Sequence, residues 1–279
     1  MVVSKRWRFV VLCGIALILA ACAVTEAAPS QRKIALLAPF EGRYREVGYE
    51  ALYAVRLAFA ESENMALLAV DDGGTSDMAA LRARALAADS QVYGVLVLGY
   101  AATDPAVLAA FDDLPVLFVG SWGVDVKGVN VFVLASAEIL DMVTVSRDVT
   151  ITDVAASSEA VTGAEALALS QFARLREDLS TVTVLSSGRL SSVEFRERIL
   201  AENPFASEPG LLSTLSYDAA RLMIEAVQDS EDRTAVHDII ATREFRGVNG
   251  PIRFEDGYWQ DAPINTYRYN ANRILYLVP

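Results

Sequence analysis

The sequence predicts an α/β protein built from parallel β-α-β units, and three observations carry that expectation. Short, uninterrupted apolar runs bounded by proline or glycine recur along the first 120 residues, as strands buried on both faces require. Between them the apolar spacing lengthens to three or four residues, the period of a helix with one buried face. Strand, helix and strand in that order demand right-handed crossovers, with helices on both faces of a sheet.

"KIALLAP" (33–39) is the first such run. A helix is expected over 44–61, where Val47, Ala51, Val55 and Phe59 repeat every four residues and Glu46, Glu50 and Arg56 fall elsewhere around it. "ALLAVDDGG" (66–74) is a strand running into acids and glycines. The helix after it takes Asp77 as its cap and sets Met78, Leu81, Ala85 and Ala88 on one face. "YGVLVLG" (93–99), the short helix "DPAVLAAFDD" (104–113) and "PVLFVG" (115–120) complete the series. Beyond Gly120, strands are expected in "VNVFVL" (129–134), "DVTITDV" (148–154) and "TVTVLSS" (181–187), and helices over 165–177 and 192–202. Residues 211–229 form a strongly amphipathic helix with Leu212, Leu215, Ala219, Leu222 and Ala226 as its inner stripe, and a shorter helix covers 234–242. Alternation around Glu255-Asp256-Gly257 and Asn270-Ala271-Asn272 predicts antiparallel ribbons at the end of the chain.

The N-terminus has a different logic. Residues 9–21 are apolar, but a helix of that length covers only about 20 Å, against about 30 Å of hydrocarbon. Lys5, Arg6 and Arg8 precede the run and small residues follow it, the order of a secretory signal. Leu19-Ala20-Ala21-Cys22 resembles the lipobox of bacterial lipoproteins. That resemblance implies a signal peptide over 1–21, an acylated Cys22 as first residue, and a tether over 22–32. Its acyl chains, at about 0.8 kcal/mol per buried CH₂, would hold the protein at an extracytoplasmic membrane surface. An ordinary cleaved signal with an incidental cysteine is the alternative. Removing 1–21 takes away three cations and no acids, so the formal charge moves from −12 to −15. Such acidity disfavours nucleic acid and anionic lipid head groups as partners. The cysteines are Cys13 and Cys22, so no thiol remains for a disulfide, a metal or a nucleophile.

Three stretches together resemble the type I periplasmic binding proteins, in particular the branched-chain amino-acid receptors of ABC transporters. "KIALLAPFEGRYREVGYEALYAVRLAFAE" is similar to the family's opening strand, ligand-side loop and first helix. "LLAVDDGGTSDMAALRARALAADSQVYGVLVLG" is similar to its second unit, and "LSYDAARLMIEAV" with "FRGVNGPIRFEDG" to its late helix and Gly-Pro hairpin. The resemblance implies two α/β lobes of helix-flanked parallel sheets, a hinge crossed three times and a ligand held between the lobes. Lobe one is expected over 33–120 and 190–258, and a reduced lobe two over 121–189 and 259–279. Carried over position by position, the ligand-binding residues are Tyr44 and Val47 in the first loop, Ala102 and Thr103 after Gly99, and Ser121 and Trp122 after Gly120. The implied partners are a small polar ligand, such as an amino acid or amide, and a transporter permease or other envelope protein. No cofactor and no metal are implied.

Trp122 stands where the family has a hydroxyl residue, and an indole there suits a flat or ring-shaped ligand; it is equally read as a hinge or core residue. Thr103 is read alternatively as the cap of the helix beginning at Asp104 and Pro105. The acid that pairs the ligand's ammonium in amino-acid receptors has no counterpart in the shortened second lobe. Asp71 and Asp72, before two glycines, read as solvated turn formers, and Tyr217 and Asp218 as packing and helix-surface residues. "GSWG" (120–123) lacks the spacing of a nucleophile elbow. One histidine, His237, offers neither an oriented base for a serine nor a zinc site. The expectation is therefore a lipid-anchored solute-binding protein and not an enzyme, with a ligand-free envelope scaffold or regulator of the same fold as the alternative.

Overall fold

The computed structural model describes residues 31–145 and 151–279. Cys22, the signal peptide and all but the end of the tether lie outside the described residues, as do the first three positions of the strand expected over 148–154.

The apolar runs become β1 (Lys33–Ala38), β2 (Ala66–Asp71), β3 (Val92–Val97), β4 (Val116–Val119) and β5 (Val131–Leu134). Helices α1 (Arg45–Ala60), α2 (Ser76–Ala88) and α3 (Pro105–Ala110) connect the first four. Among the described residues these strands belong to a seven-stranded sheet of order β10-β11-β5-β4-β3-β1-β2, where β10 is Phe254–Glu255 and β11 is Tyr258–Trp259. Neighbours from β2 to β5 pair in parallel. The chain steps outward from β1 to β2, then returns to β3 on the other side of β1. That reversal makes β1/β3 the switch point, and the crevice beyond the strand C-termini there is where such sheets bind ligands. Asp256 (φ 50°) and Gly257 (φ 82°) close the β10–β11 ribbon, the paired positive φ values of a tight hairpin turn.

The second sheet has four strands in the order β13-β12-β7-β6: β6 (Val161–Gly163), β7 (Val182–Ser186), β12 (Asn265–Tyr269) and β13 (Leu275–Leu277). Only β6 and β7 pair in parallel; β7–β12 and β12–β13 are antiparallel. Helices α4 (Ile139–Met142), α5 (Ile151–Ala156) and α6 (Ser170–Leu175) accompany it. The chain then returns through α7 (Val193–Glu202), α8 (Leu211–Gln228), α9 (Arg233–Thr242) and the hairpin β8 (Phe245–Gly247)/β9 (Gly250–Ile252). Helix α8 packs on α1 and against β3 and β4, and all five residues of its expected stripe are at most 2% exposed.

Several expectations are corrected. The cap of α2 is Thr75, whose Oγ1 accepts the Met78 N–H, rather than Asp77. Its buried face is Ala79, Ala80, Ala83 and Leu86, while Met78 and Leu81 are exposed; small side chains let this helix lie close to α3. The described part of the segment read as the strand 148–154 is the start of α5, whose buried Ile151, Val154 and Ala155 have helical spacing and which lies against α6. The helix expected over 165–177 is a 3-10 turn (Glu165–Ala168) and then α6, broken by the extended Leu169. Glu50 does not point to solvent: it is 8% exposed because α8 covers that side of α1. Strand pairing carries the larger sheet through Leu134 and Trp259, beyond the boundaries drawn at 120 and 258.

Candidate functional site

The crevice at the switch point is organised first by an acid. Asp71, at the end of β2, accepts the N–H groups of Phe40 (2.7 Å) and Glu41 (3.1 Å) on Oδ1, and that of Gly73 (3.0 Å) on Oδ2. One carboxylate thus fixes the loop that follows β1. Asp72 is 1% exposed and accepts the Gly74 N–H. Burial, reinforced by the charge of Asp71, pushes its pKa up to about 6. Both acids form turns as expected from sequence, each accepting the N–H two residues on, but Asp72 is buried rather than solvated and Asp71 only half-exposed.

The loop then delivers Tyr44 through a 3-10 turn (Gly42–Tyr44) and Val47 in the first turn of α1, where Val47 is fully buried. After β3, a second 3-10 turn (Tyr100–Thr103) buries Ala102 completely and leaves Thr103 3% exposed. Thr103 Oγ1 donates to the Tyr100 carbonyl at 2.8 Å, and Asp104, not Thr103, caps α3 by accepting the Ala106 N–H. After β4, Gly120 takes φ +80°, a left-handed turn that favours glycine. That turn points Ser121 and Trp122 back across the strand ends. Trp122 is 2% exposed and donates from Nε1 to the Val119 carbonyl at 3.0 Å. Its ring meets Tyr100 edge-on (5.2 Å, 82°), and Tyr100 in turn lies 5.5 Å from Tyr44. Of the six residues named from sequence, Tyr44 and Trp122 are joined through Tyr100, whose carbonyl also takes the Thr103 hydroxyl, while Val47, Ala102 and Ser121 are buried in the segments that follow β1, β3 and β4.

Glu165 closes that crevice from the side of the smaller sheet. It is fully buried; its Oε2 accepts the Ser121 N–H at 2.9 Å and its Oε1 accepts the Ser186 hydroxyl at 2.7 Å. The Ser186 oxygen also accepts the Gly188 N–H, which commits the Ser186 proton to Glu165. Burial raises the pKa of Glu165 against these two bonds, and burial, followed by the nearby Tyr44 and Glu165, raises that of Tyr100. Further contacts join the layers. Glu46 of α1 accepts the Ser170 and Gln171 N–H groups, both at 2.7 Å, at the N-terminus of α6. Ser136 N–H donates to Ser187 Oγ at 2.9 Å.

The sequence reading missed Tyr100, Glu46 and Glu165. The available signal for Glu165 was an acid set in the apolar "GAEALAL"; for Tyr100 it was an aromatic directly after Gly99. Asp218, read as a helix-surface residue, is 1% exposed and accepts from Val248 N (2.7 Å), Asn249 N (3.0 Å) and Asn249 Nδ2 (2.8 Å), tying the β8–β9 turn to α8. His237 lies beside Phe132, with Nδ1 3.2 Å from the adjacent Asp238. Among the described residues there is no group of three or more His, Cys, Asp or Glu that could hold a metal.

No protein-family model matches the sequence, and no curated protein matches it. Solved structures do. An extracellular ligand-binding receptor from Desulfohalobium retbaense superposes with TM-score 0.71 at 14% identity over 89% of this chain, which spans 59% of that receptor's length. The leucine-binding protein LivK from Thermotoga maritima gives 0.69 at 13% identity, covering 89% of this chain and 98% of that one. A solute-binding protein of an ABC transporter from R. palustris, in complex with benzoate, gives 0.63 at 11% identity over 88% and 95% of the two chains. With its switch-point crevice set between a seven-stranded and a four-stranded sheet, the chain has the fold of the type I periplasmic binding proteins.

Proposed function

We propose that this chain is a lipid-anchored, extracytoplasmic solute-binding protein that serves an ABC importer for a small polar ligand. What supports this reading is that the turns after β1, β3 and β4 bring Tyr44, Tyr100 and Trp122 into contact at the β1/β3 switch point, where Val47, Ala102, Thr103 and Ser121 are the other expected ligand positions. Ligands bind there in open parallel sheets, and the solved structures of the same fold include a leucine-binding protein and a benzoate complex. The aromatic wall of Tyr44, Tyr100 and Trp122 supports a ligand with a flat or apolar part. Anchoring rests on Leu19-Ala20-Ala21-Cys22.

A second reading, a ligand-free envelope scaffold or regulator, is favoured by one observation. Glu165 and Trp122 fill the crevice with the chain's own side chains. Thermal unfolding of a soluble form beginning near Pro29 separates the two. Amino acids, small amides, aromatic acids, sugars and polyamines are screened at millimolar concentration. A ligand at about 100 times its Kd adds about 2.7 kcal/mol, a rise of several degrees for a chain of this size. Such a rise identifies a receptor; a folded protein unmoved across the panel supports the scaffold. For the anchor, fatty-acid labelling of the full chain is expected to vanish in Cys22→Ala, and labelling that persists would refute it.

A further inference from the structure

We infer that the crevice carries its own ligand: the Glu165 carboxylate occupies an anion cradle at the end of β4, so that any incoming carboxylate competes with it. The cradle is built from named groups. The left-handed turn at Gly120 aims the Ser121 N–H out of the sheet end, and backbone N–H groups presented by such turns make anion sites. Ser186 supplies a hydroxyl whose proton is committed to the carboxylate by the Gly188 N–H behind it. Ser121 Oγ, on a residue 5% exposed, is buried beside this site without a hydrogen-bond partner, a spare donor for a bound anion. The fit is close: a Cβ on Gly120 would stand 3.0 Å from Glu165 Oε2.

The origin of Glu165 matters as much as its partners. It begins the 3-10 turn of the smaller sheet's layer and lies 44 positions along the chain from Ser121, so its carboxylate enters from the opposite wall. No Lys or Arg makes a hydrogen bond or ion pair to it among the described residues; its donors, the Ser121 N–H and the Ser186 hydroxyl, are neutral. A carboxylate held by neutral donors in a dry site is in the position of a small anionic ligand, except that it is tethered. Tethering gives it a high effective concentration, and a free carboxylate must outcompete it. This holds whether or not the crevice admits a solute, so it stands apart from the proposed receptor role.

Cavity rescue tests it. Glu165→Ala removes the tethered anion and leaves Ser121 N–H, Ser121 Oγ and Ser186 Oγ around the vacated space. Formate and acetate, with matched chloride as the ionic-strength control, are titrated into the wild type and the variant. Thermal unfolding and calorimetry provide the readings. The variant is expected to gain a few degrees in Tm and to bind formate or acetate at least tenfold more tightly than the wild type. Ser121 amide exchange, protected in the wild type, is expected to speed up in the variant and slow again with formate. A folded variant that neither carboxylate stabilises overturns the cradle. Equal binding by wild type and variant overturns the competition. Should the alanine variant fail to fold, Glu165→Asp, whose carboxylate stops one methylene short, replaces it with the same readings.

Discussion

The seam between α1 and α8 should make the protein less stable as pH rises, and one residue should carry a separable share of that loss. Glu50 lies 8% exposed on α1, with Oε1 3.2 Å from Ser213 N and 3.3 Å from Ser213 Oγ in the first turn of α8. Gly210 packs so closely that a Cβ there would stand 2.6 Å from Oε1. Burial raises the Glu50 pKa to about 7 from 4.5, with the charge of Glu46 adding to the rise; the backbone groups of Ser213 and Gly210 and the Ser213 hydroxyl oppose it. A carboxyl whose folded pKa lies above its unfolded value stabilises the fold fully below about pH 4.5, and loses that contribution as pH rises through about 7. At about 1.4 kcal/mol per pKa unit the full loss is roughly 3 kcal/mol. For a chain of this size that corresponds to about 6–12 °C in Tm. Glu50→Gln keeps an acceptor for the Ser213 N–H and cannot ionise. Thermal unfolding of both proteins from pH 4.5 to 8 should therefore give a steeper decline in the wild type. Asp72 and Glu165 contribute slopes of the same sign to both proteins, so the difference between the curves isolates Glu50. Parallel curves would refute the reasoning.

Other perturbations read other parts of the structure. Gly120→Ala forces a side chain into φ +80° and within 3.0 Å of Glu165 Oε2, so urea unfolding should show a loss of about 1–3 kcal/mol, partly recovered in the double variant with Glu165→Ala. Asp218→Ala leaves three donors of the β8–β9 turn unpaired and should cost about 3 kcal/mol in the same assay. Arg176 is 1% exposed and donates to the carbonyls of Val154, Glu159 and Asp178 and to Thr181 Oγ1. Arg176→Met should abolish hydrogen-exchange protection in β6 and β7 before it affects β1 and β3, since the smaller sheet depends on that guanidinium for its loop carbonyls.

Strands β1, β3 and β4 were legible because strands covered on both faces need no polar positions, and an unbroken apolar run between Pro or Gly residues has few other uses; β2, at the sheet edge and half-buried, was legible from its apolar run ending in acids and glycines. Helix α8 was legible for the complementary reason: its large residues repeat at helical spacing on the side that meets α1. Helix α2 was misread because alanines occupy six of its thirteen positions. Met78 and Leu81 suggested a buried face, but close packing selected Ala79, Ala83 and Leu86. For α5, Thr and Val favoured a strand, and the contact with α6 overrode that preference. In the crevice, the backbone-borne positions could be placed by motif, since Gly99 and Gly120 mark the strand ends. Glu50 and Glu165 could not. Whether a glutamate is solvated or buried depends on which distant N–H groups close over it: Ser213 is 163 positions from Glu50, and Ser121 is 44 from Glu165.

Two carboxylates, Glu165 and Glu46, bear on how the crevice would open. Separating the layers breaks the Glu165–Ser121 bond, the cap that Glu46 places on α6 and the Ser136–Ser187 bond. Bonds to charged groups contribute about 1.5–3 kcal/mol each, which favours the closed arrangement. Water entering the crevice, however, relieves the burial that holds the Glu165 pKa up. The two effects have opposite sign, and pH divides them. Protonation removes the burial penalty and favours closure; as pH rises through the elevated pKa the closed form loses that advantage. A solute can shift this equilibrium only by its difference in affinity for the two forms. A neutral solute that leaves Glu165 in place adds its contacts to those already made. A carboxylate solute must replace both Glu165 bonds before it gains anything, so Glu165 biases the crevice against the ligands its donors would otherwise fit.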